Sequence, residues 1–244
     1  HPSWRILSGL LVVLLTALII YLTTSEEFMV KSPLIKGNER LNSADIEASL
    51  LLQGTPIFMV DPYELKNLLE TSFPELKDVS VDVAFPAKVS VSVSERQPVI
   101  TWKYQDVAMW IDNEGVVFPA RGDAETLLSI SSDAAPPMIE TGVKPVLLDP
   151  KNDETSAETE QKEKVVVKTM SVDRKVLNMA ITLSKFVPAN TTLIYNSTRG
   201  LGWLDTNGWN VYVGFDLDQL DQKMLVYQKM VDTLNKQGLH PQVI

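Results

Sequence analysis

From Ile6 to Leu22 the chain reads ILSGLLVVLLTALIIYL, 17 residues without a charge. At about 1.5 Å of rise per residue an α-helix of this length covers about 25 Å, and Trp4 with Thr23 and Thr24 brings it near the ~30 Å thickness of a bilayer's hydrocarbon layer. Ile6, Leu10, Leu14, Leu18 and Leu22 repeat every four residues along it, and Trp4 and Tyr21 stand near its ends, where amphipathic rings prefer the headgroup region. A cleaved signal peptide has a shorter apolar stretch followed by small residues, whereas Thr23-Thr24-Ser25-Glu26-Glu27 supplies no such site. A buried core helix would carry a polar face, and this one has none. The run is therefore expected to be an uncleaved membrane anchor. Arg5 before it and Glu26 and Glu27 after it predict a cytoplasmic N-terminus and an extracytoplasmic bulk.

Charge and composition narrow the possibilities for the rest of the chain. A formal net charge of -9 repels phosphate backbones and anionic headgroups, so nucleic acid is not an expected partner, and membrane attachment must come from apolar burial. The chain contains no cysteine, which removes disulfides, thiolate catalysis and Cys-based zinc sites. It begins at His1 rather than Met, which reads as a fragment or processed form.

Residues 28–96 parse into five elements. Phe28–Ile35 is a short strand candidate stopped by Gly37-Asn38, and a helix starts at Asn42 or Ser43, carrying Ile46, Leu50 and Leu51. Asp61-Pro62-Tyr63-Glu64 is a stronger helix start, with an N-cap acceptor, proline at the first helical position and a glutamate three residues on from the cap. Val79, Val81, Val83 and Phe85 then alternate with polar or small residues, Pro86-Ala87-Lys88 turns the chain, and Val89, Val91 and Val93 alternate with serines. Strand, helix, helix, strand, strand behind an anchor describes a small α+β module.

On these residues the chain resembles the FtsQ/DivIB cell-division family, whose first extracytoplasmic module is a POTRA domain. The matching stretches are Val30–Gly37, Gly54 with Phe58 and Asp61, the Phe85-Pro86 turn, and Glu95-Arg96-Gln97-Pro98. Beyond Pro98, Ile111-Asp112-Asn113-Glu114-Gly115-Val116-Val117-Phe118 matches the family's run after that segment, and Val213-Gly214 and Lys223 fall where the resemblance expects them.

Residues 97–244 read as a mixed β domain with flanking helices. Pro98–Tyr104 and Val107–Asp112 suit a hairpin; a helix is expected over Ser171–Val187, strands at Thr192–Tyr195, Leu201–Leu204 and Trp209–Phe215, and a last helix from Asp216 or Asp218 to Lys236. Residues 151–164 hold eight charges and no large apolar side chain, the composition of a disordered acidic loop. Val243-Ile244 reads as the start of a strand cut short. The resemblance implies that this strand continues and that an edge strand receiving a partner comes after it.

No catalytic motif is present, and His1 and His240 both stand at chain ends. Asp112 and Glu114 could act as an acid–base pair, but Asn113 and Gly115 complete a turn signature that explains them. No enzyme activity, cofactor, metal or small-molecule substrate is expected. The resemblance implies a non-catalytic divisome scaffold at the septum that binds FtsB- or DivIC-like and FtsL-like single-pass proteins by strand addition and helps regulate septal peptidoglycan synthesis. Candidate interaction residues are Glu95, Arg96, Arg199, Val243 and Ile244. The competing readings are a POTRA module handling outer-membrane substrates, which would bring tandem modules and a barrel, and a membrane-anchored wall hydrolase.

Overall fold

The computed structural model describes residues 3–124, 127–147, 164–188 and 191–244, and the chain divides into two compact units, His1–Arg96 and Gln97–Ile244. The first unit opens with helix α1, Ser3–Thr24, whose stretch Ile6–Thr24 is long and apolar enough to cross a membrane. Its side chains stay open to the surroundings: Ile6, Leu10, Leu14 and Leu18 are exposed and Leu22 half-buried. The Ser25 hydroxyl accepts from the Glu27 amide, starting a 3₁₀ turn over Glu26–Phe28.

The POTRA-like part follows from its caps and its alternation. The Asn42 side chain accepts from the Ala44 amide and starts α2, Ser43–Leu50; the Asp61 carboxylate accepts from the Tyr63 amide and starts α3, Pro62–Ser72. Strands β2, Leu76–Ala84, and β3, Lys88–Glu95, form the expected hairpin, and β1, Leu34–Lys36, lies parallel to β3 in a sheet of order β1-β3-β2. Val79, Val89, Val91 and Val93 turn to the helices and are buried with Ile46, Leu50, Leu65, Leu69 and Phe73.

Two local expectations change. The strand foreseen over Phe28–Ile35 shrinks to Leu34–Lys36, because Phe28 closes the 3₁₀ turn and Pro33 has no N–H to give a ladder. Its earlier part instead clips a loop: Val30 donates to the Thr55 carbonyl and accepts from the Gly54 amide, while Met29 bridges Pro56. The alternation also fails at Phe85, which sits at the hairpin tip and is 69% exposed.

The second unit is built on a seven-stranded sheet. Its strands are β4 (Pro98–Tyr104), β5 (Val107–Asp112), β6 (Val117–Pro119), β7 (Leu128–Ser132), β10 (Leu193–Asn196), β11 (Gly200–Leu204) and β12 (Asn210–Gly214). Their order is β12-β11-β10-β7-β4-β5-β6, with β7 parallel to both β4 and β10 and the remaining pairs antiparallel. Helix α4, Arg174–Leu183, covers one face, where Leu177, Ala180 and Leu183 join Ile100, Trp102, Ile130, Leu193, Leu201 and Trp203 in one core. The four strand-region tryptophans, Trp102, Trp110, Trp203 and Trp209, are all buried, so they pack the sheet rather than present a ligand platform.

Here too the structure departs from expectation. The helix foreseen from Ser171 starts later, because Ser171 and Val172 end a strand and the Asp173 carboxylate caps α4 at the Lys175 amide. That strand, β9 (Lys164–Val172), pairs with β8 (Met138–Leu147) as a separate antiparallel ribbon. The acidic stretch, about 151–164, lies outside the described residues except for the backbone of Lys164 in β9. The last helix, α5, spans Leu220–Gln237; on it Leu220 is fully buried, and Met224 and Tyr227 pack as partly buried residues.

Candidate interaction surfaces

Glu95 and Arg96 are neighbours in the sequence but bond different groups in the structure. Glu95 ends β3 with its side chain turned inward, and only 8% of the residue is exposed. Its carboxylate accepts from the amides of Glu39 at 2.7 Å, Arg40 at 2.9 Å and Leu41 at 2.9 Å, and from Arg40 Nε at 3.0 Å. Arg40 also donates through Nη2 to the Arg96 carbonyl, while the Arg96 amide and Nε donate to the Glu75 and Pro74 carbonyls. Burial alone raises the Glu95 pKa, but the amides of Leu41, Glu39 and Arg40 and the Arg40 side chain outweigh it and hold the carboxyl below its ordinary value. Glu95 is thus a lock between the end of the hairpin and the 39–41 loop, not a solvated charge. The cation facing it, Arg40, carried no sequence signal.

The other three candidates meet in the second unit. Strand β12 is one edge of the seven-stranded sheet, and its outer side carries the segment Gln242–Ile244. The Asn210 amide donates to the Gln242 carbonyl at 3.0 Å, the Ile244 amide to the Asn210 carbonyl at 2.9 Å, and the Tyr212 amide to the Ile244 carbonyl at 3.1 Å. Val243 bridges Asn210 in parallel, so the segment is an added strand in miniature. Alternation along an extended chain turns the Val243 N–H and C=O away from β12, toward the outside.

Arg199 stands beside the same edge. It is exposed, and its guanidinium lies over the Tyr212 ring, 5.6 Å from the centroid, a cation–π distance. Tyr212 therefore links Arg199 to Ile244 through its ring on one side and its amide on the other. Sequence reasoning passed over Tyr212, although the alternation of Val211, Tyr212 and Val213 on one strand was the signal available. Gly200 and Gly214 make the approach possible: Gly200 has φ +84°, and a Cβ there would meet the Gly214 carbonyl oxygen at 2.2 Å.

Helix α5 holds the strand end in place. Lys223 Nζ donates to the Val213 carbonyl at 3.0 Å and to the Asp216 carbonyl and carboxylate at 3.1 and 3.2 Å. Tyr227 stacks edge-on against Trp203, and burial together with the Asp205 carboxylate beside it pushes the phenol up to about 12.

The Asp112–Glu114 pair resolves as turn chemistry. Asp112 is buried, and its Oδ1 accepts from the amides of Glu114 and Val116, both at 2.9 Å. Among the described residues no group of three His, Cys, Asp or Glu side chains is placed to hold a metal ion. What the β12 edge offers chemically is main-chain donors and acceptors in register, flanked by an aromatic ring and a guanidinium.

Comparison with known proteins agrees with the fold. Residues 29–96 match the family model of the FtsQ-type POTRA domain. A cell division protein FtsQ of Chloroflexus aurantiacus is 31% identical over 118 residues, 48% of this chain and 43% of that protein. A cell division protein FtsQ of Chloroflexus aggregans is 30% identical over 138 residues, 55% of this chain and 50% of that protein. The chain spans about half the length of the curated relatives it matches.

Proposed function

We propose that this chain, a member of the FtsQ/DivIB family, is a non-catalytic scaffold of the bacterial division machinery. Anchored by α1 with its N-terminus in the cytoplasm, it holds its two folded units on the far side of the membrane at the septum. There it recruits FtsB- or DivIC-like and FtsL-like single-pass proteins and helps regulate septal peptidoglycan synthesis.

The observation that carries this reading is the β12 edge. It already accepts Gln242–Ile244 through three main-chain hydrogen bonds, which supports strand addition as the mode of binding. A partner segment would pair with the outward N–H and C=O of Val243, and Arg199 beside Tyr212 would meet an acidic side chain on that segment. Glu95 and Arg96 serve this function indirectly, by fixing the end of the POTRA hairpin.

Site-specific photo-crosslinking in membranes tests the reading. With a crosslinking residue at Val243, a small single-pass division protein should be captured; with one at Val117, on β6 at the other edge of the sheet, it should not. Equal capture from both positions, or from neither, overturns the β12 assignment.

A further inference from the structure

Four aromatic rings run in an unbroken series from the membrane helix onto the POTRA domain. Tyr21, in the last turn but one of α1, meets Phe28 edge-on at 6.2 Å between centroids; Phe28 meets Phe58 at 5.5 Å, and Phe58 meets Phe85 at 5.4 Å. Three separate segments converge here: the 3₁₀ turn after α1, the 57–59 turn and the β2–β3 hairpin tip. The first two are tied by the Met29–Pro56 bridge and the Val30–Thr55 and Gly54–Val30 hydrogen bonds. The far members of the series are not buried by anything in the unit: Phe58 is 47% exposed, Met59 69% and Phe85 69%.

A domain whose own core is complete gains nothing by placing large rings in water, and such a patch marks a surface with an occupant. Its continuity with the span identifies that occupant. The headgroup layer extends roughly 5–8 Å beyond the hydrocarbon on each side, and Phe28 is within 6.2 Å of a ring that itself belongs to the span. Aromatic and long apolar side chains are the ones that lie favourably at this depth. We infer that Phe58, Met59 and Phe85 insert into the extracytoplasmic headgroup layer, so that the POTRA domain rests on the bilayer by a fixed face. The contact is apolar and does not depend on anionic lipid, in keeping with the chain's net charge of -9. This rests on the reading of α1 as a membrane span, and the test separates the two.

Because the chain has no cysteine, single cysteines can be placed and labelled without background. The full chain is reconstituted in zwitterionic phosphatidylcholine vesicles with an environment-sensitive fluorophore at Leu14→Cys, Met59→Cys or Ser94→Cys, and quenching by lipids carrying a headgroup-proximal quencher is measured. Ser94 is exposed and pairs with Asp78, six positions from the hairpin tip pair Ala84–Lys88, which puts it about 20 Å along the strand. Quenching at position 59 is expected to exceed that at 94 several-fold. Adding Phe58→Ser and Phe85→Ser should bring position 59 down to the level of 94, with the circular dichroism spectrum unchanged. Lipid protection of the Leu14 label from aqueous iodide, together with equal quenching at 59 and 94, overturns the inference while leaving the span intact. A Leu14 label open to iodide removes the span reading itself, and the inference falls with it.

Discussion

In the POTRA unit the last strand, β3, lies in the middle of its sheet, between β1 and β2, and the side chain that ends it, Glu95, is turned inward on four donors. In the second unit the last strand, β12, lies at the edge, and its outer side engages main chain that arrives from beyond α5. One strand ends on a carboxylate whose acceptors are used within its own unit; the other meets an extended segment along its outer side. In the sequence Glu95, Arg96 and Arg199 are all candidate contacts. Burial and hydrogen bonding separate them, because a carboxylate spent on buried amides is not available to a partner.

The strongest test of this difference is to unlock the first unit alone. Glu95→Ala leaves three amides and the Arg40 guanidinium without their acceptor, and the loss is expected to be about 3–5 kcal/mol. Hydrogen exchange followed by mass spectrometry should show faster exchange across 34–41 and 76–95, with the strands of the second unit unchanged. Acid should do the same more gently. The folded Glu95 carboxyl titrates below its ordinary value of 4.5, so its contribution is present in full above that pH and is lost as pH falls through the lower folded value. A Glu95→Gln chain should lose that part of the acid sensitivity.

The second unit has its own close contact, at Gly202 in β11. A Cβ there would stand 1.9 Å from the Val211 carbonyl oxygen, which is backbone and cannot swing aside. Gly202→Ala should therefore pry β11 from β12 at a cost of about 2–3 kcal/mol, lowering the unfolding midpoint and loosening the edge proposed to bind partners. If the midpoint moves and partner capture does not, the edge is not the binding surface.

These two sites also show what the sequence made legible. The POTRA unit is held by local signals: Asn42 and Asp61 cap their helices within two residues, and β2 and β3 are hairpin neighbours with strict alternation. The apolar stretch of α1, likewise, is a single run without a charge. The second unit depends on pairs that are far apart in the chain. Its central strand β7, Leu128–Ser132, alternates Leu128 and Ile130 with serines for too few residues to stand out, yet it pairs in parallel with both β4 and β10. The β8–β9 ribbon flanks a stretch whose composition drew attention to the loop instead of to its strands. At the sites, Arg40 and Tyr212 were invisible because each matters only through a neighbour brought in by the fold. Phe85 was misplaced for the opposite reason, since period-two alternation ran one residue past the end of its strand.

A smaller effect is expected where α5 meets the sheet. Tyr227→Phe removes the hydroxyl that faces the Asp205 carboxylate, a loss of about 0.5–1.5 kcal/mol. Asp205 is also held below the ordinary carboxylate value: burial raises it, but bonds from Asn207 and Thr206 and the nearby Tyr227 hydroxyl outweigh that. In the Tyr227→Phe chain Asp205 should consequently titrate closer to 3.8, visible in the carboxyl resonances of a pH series. Because Lys223 still ties α5 to Val213, the edge itself should keep its geometry and its partner.

The least effect on stability, and the most telling for the contrast, is expected from Val243→Pro. The three bonds to β12 use the Gln242 carbonyl and both main-chain groups of Ile244, so proline at 243 removes a donor that faces outward and none that faces the sheet. The change in unfolding free energy should stay within about 0.5 kcal/mol. A partner strand, however, would lose the main-chain donor it pairs with first, and capture of the FtsB- or DivIC-like protein in detergent should drop at least several-fold. Arg199→Ala should weaken the same capture less, and more at low salt than at high, since it removes only a flanking charge. Should Val243→Pro bind partners as well as the parent chain, main-chain pairing at this position is ruled out, and the edge is a closed end like the one Glu95 makes in the first unit.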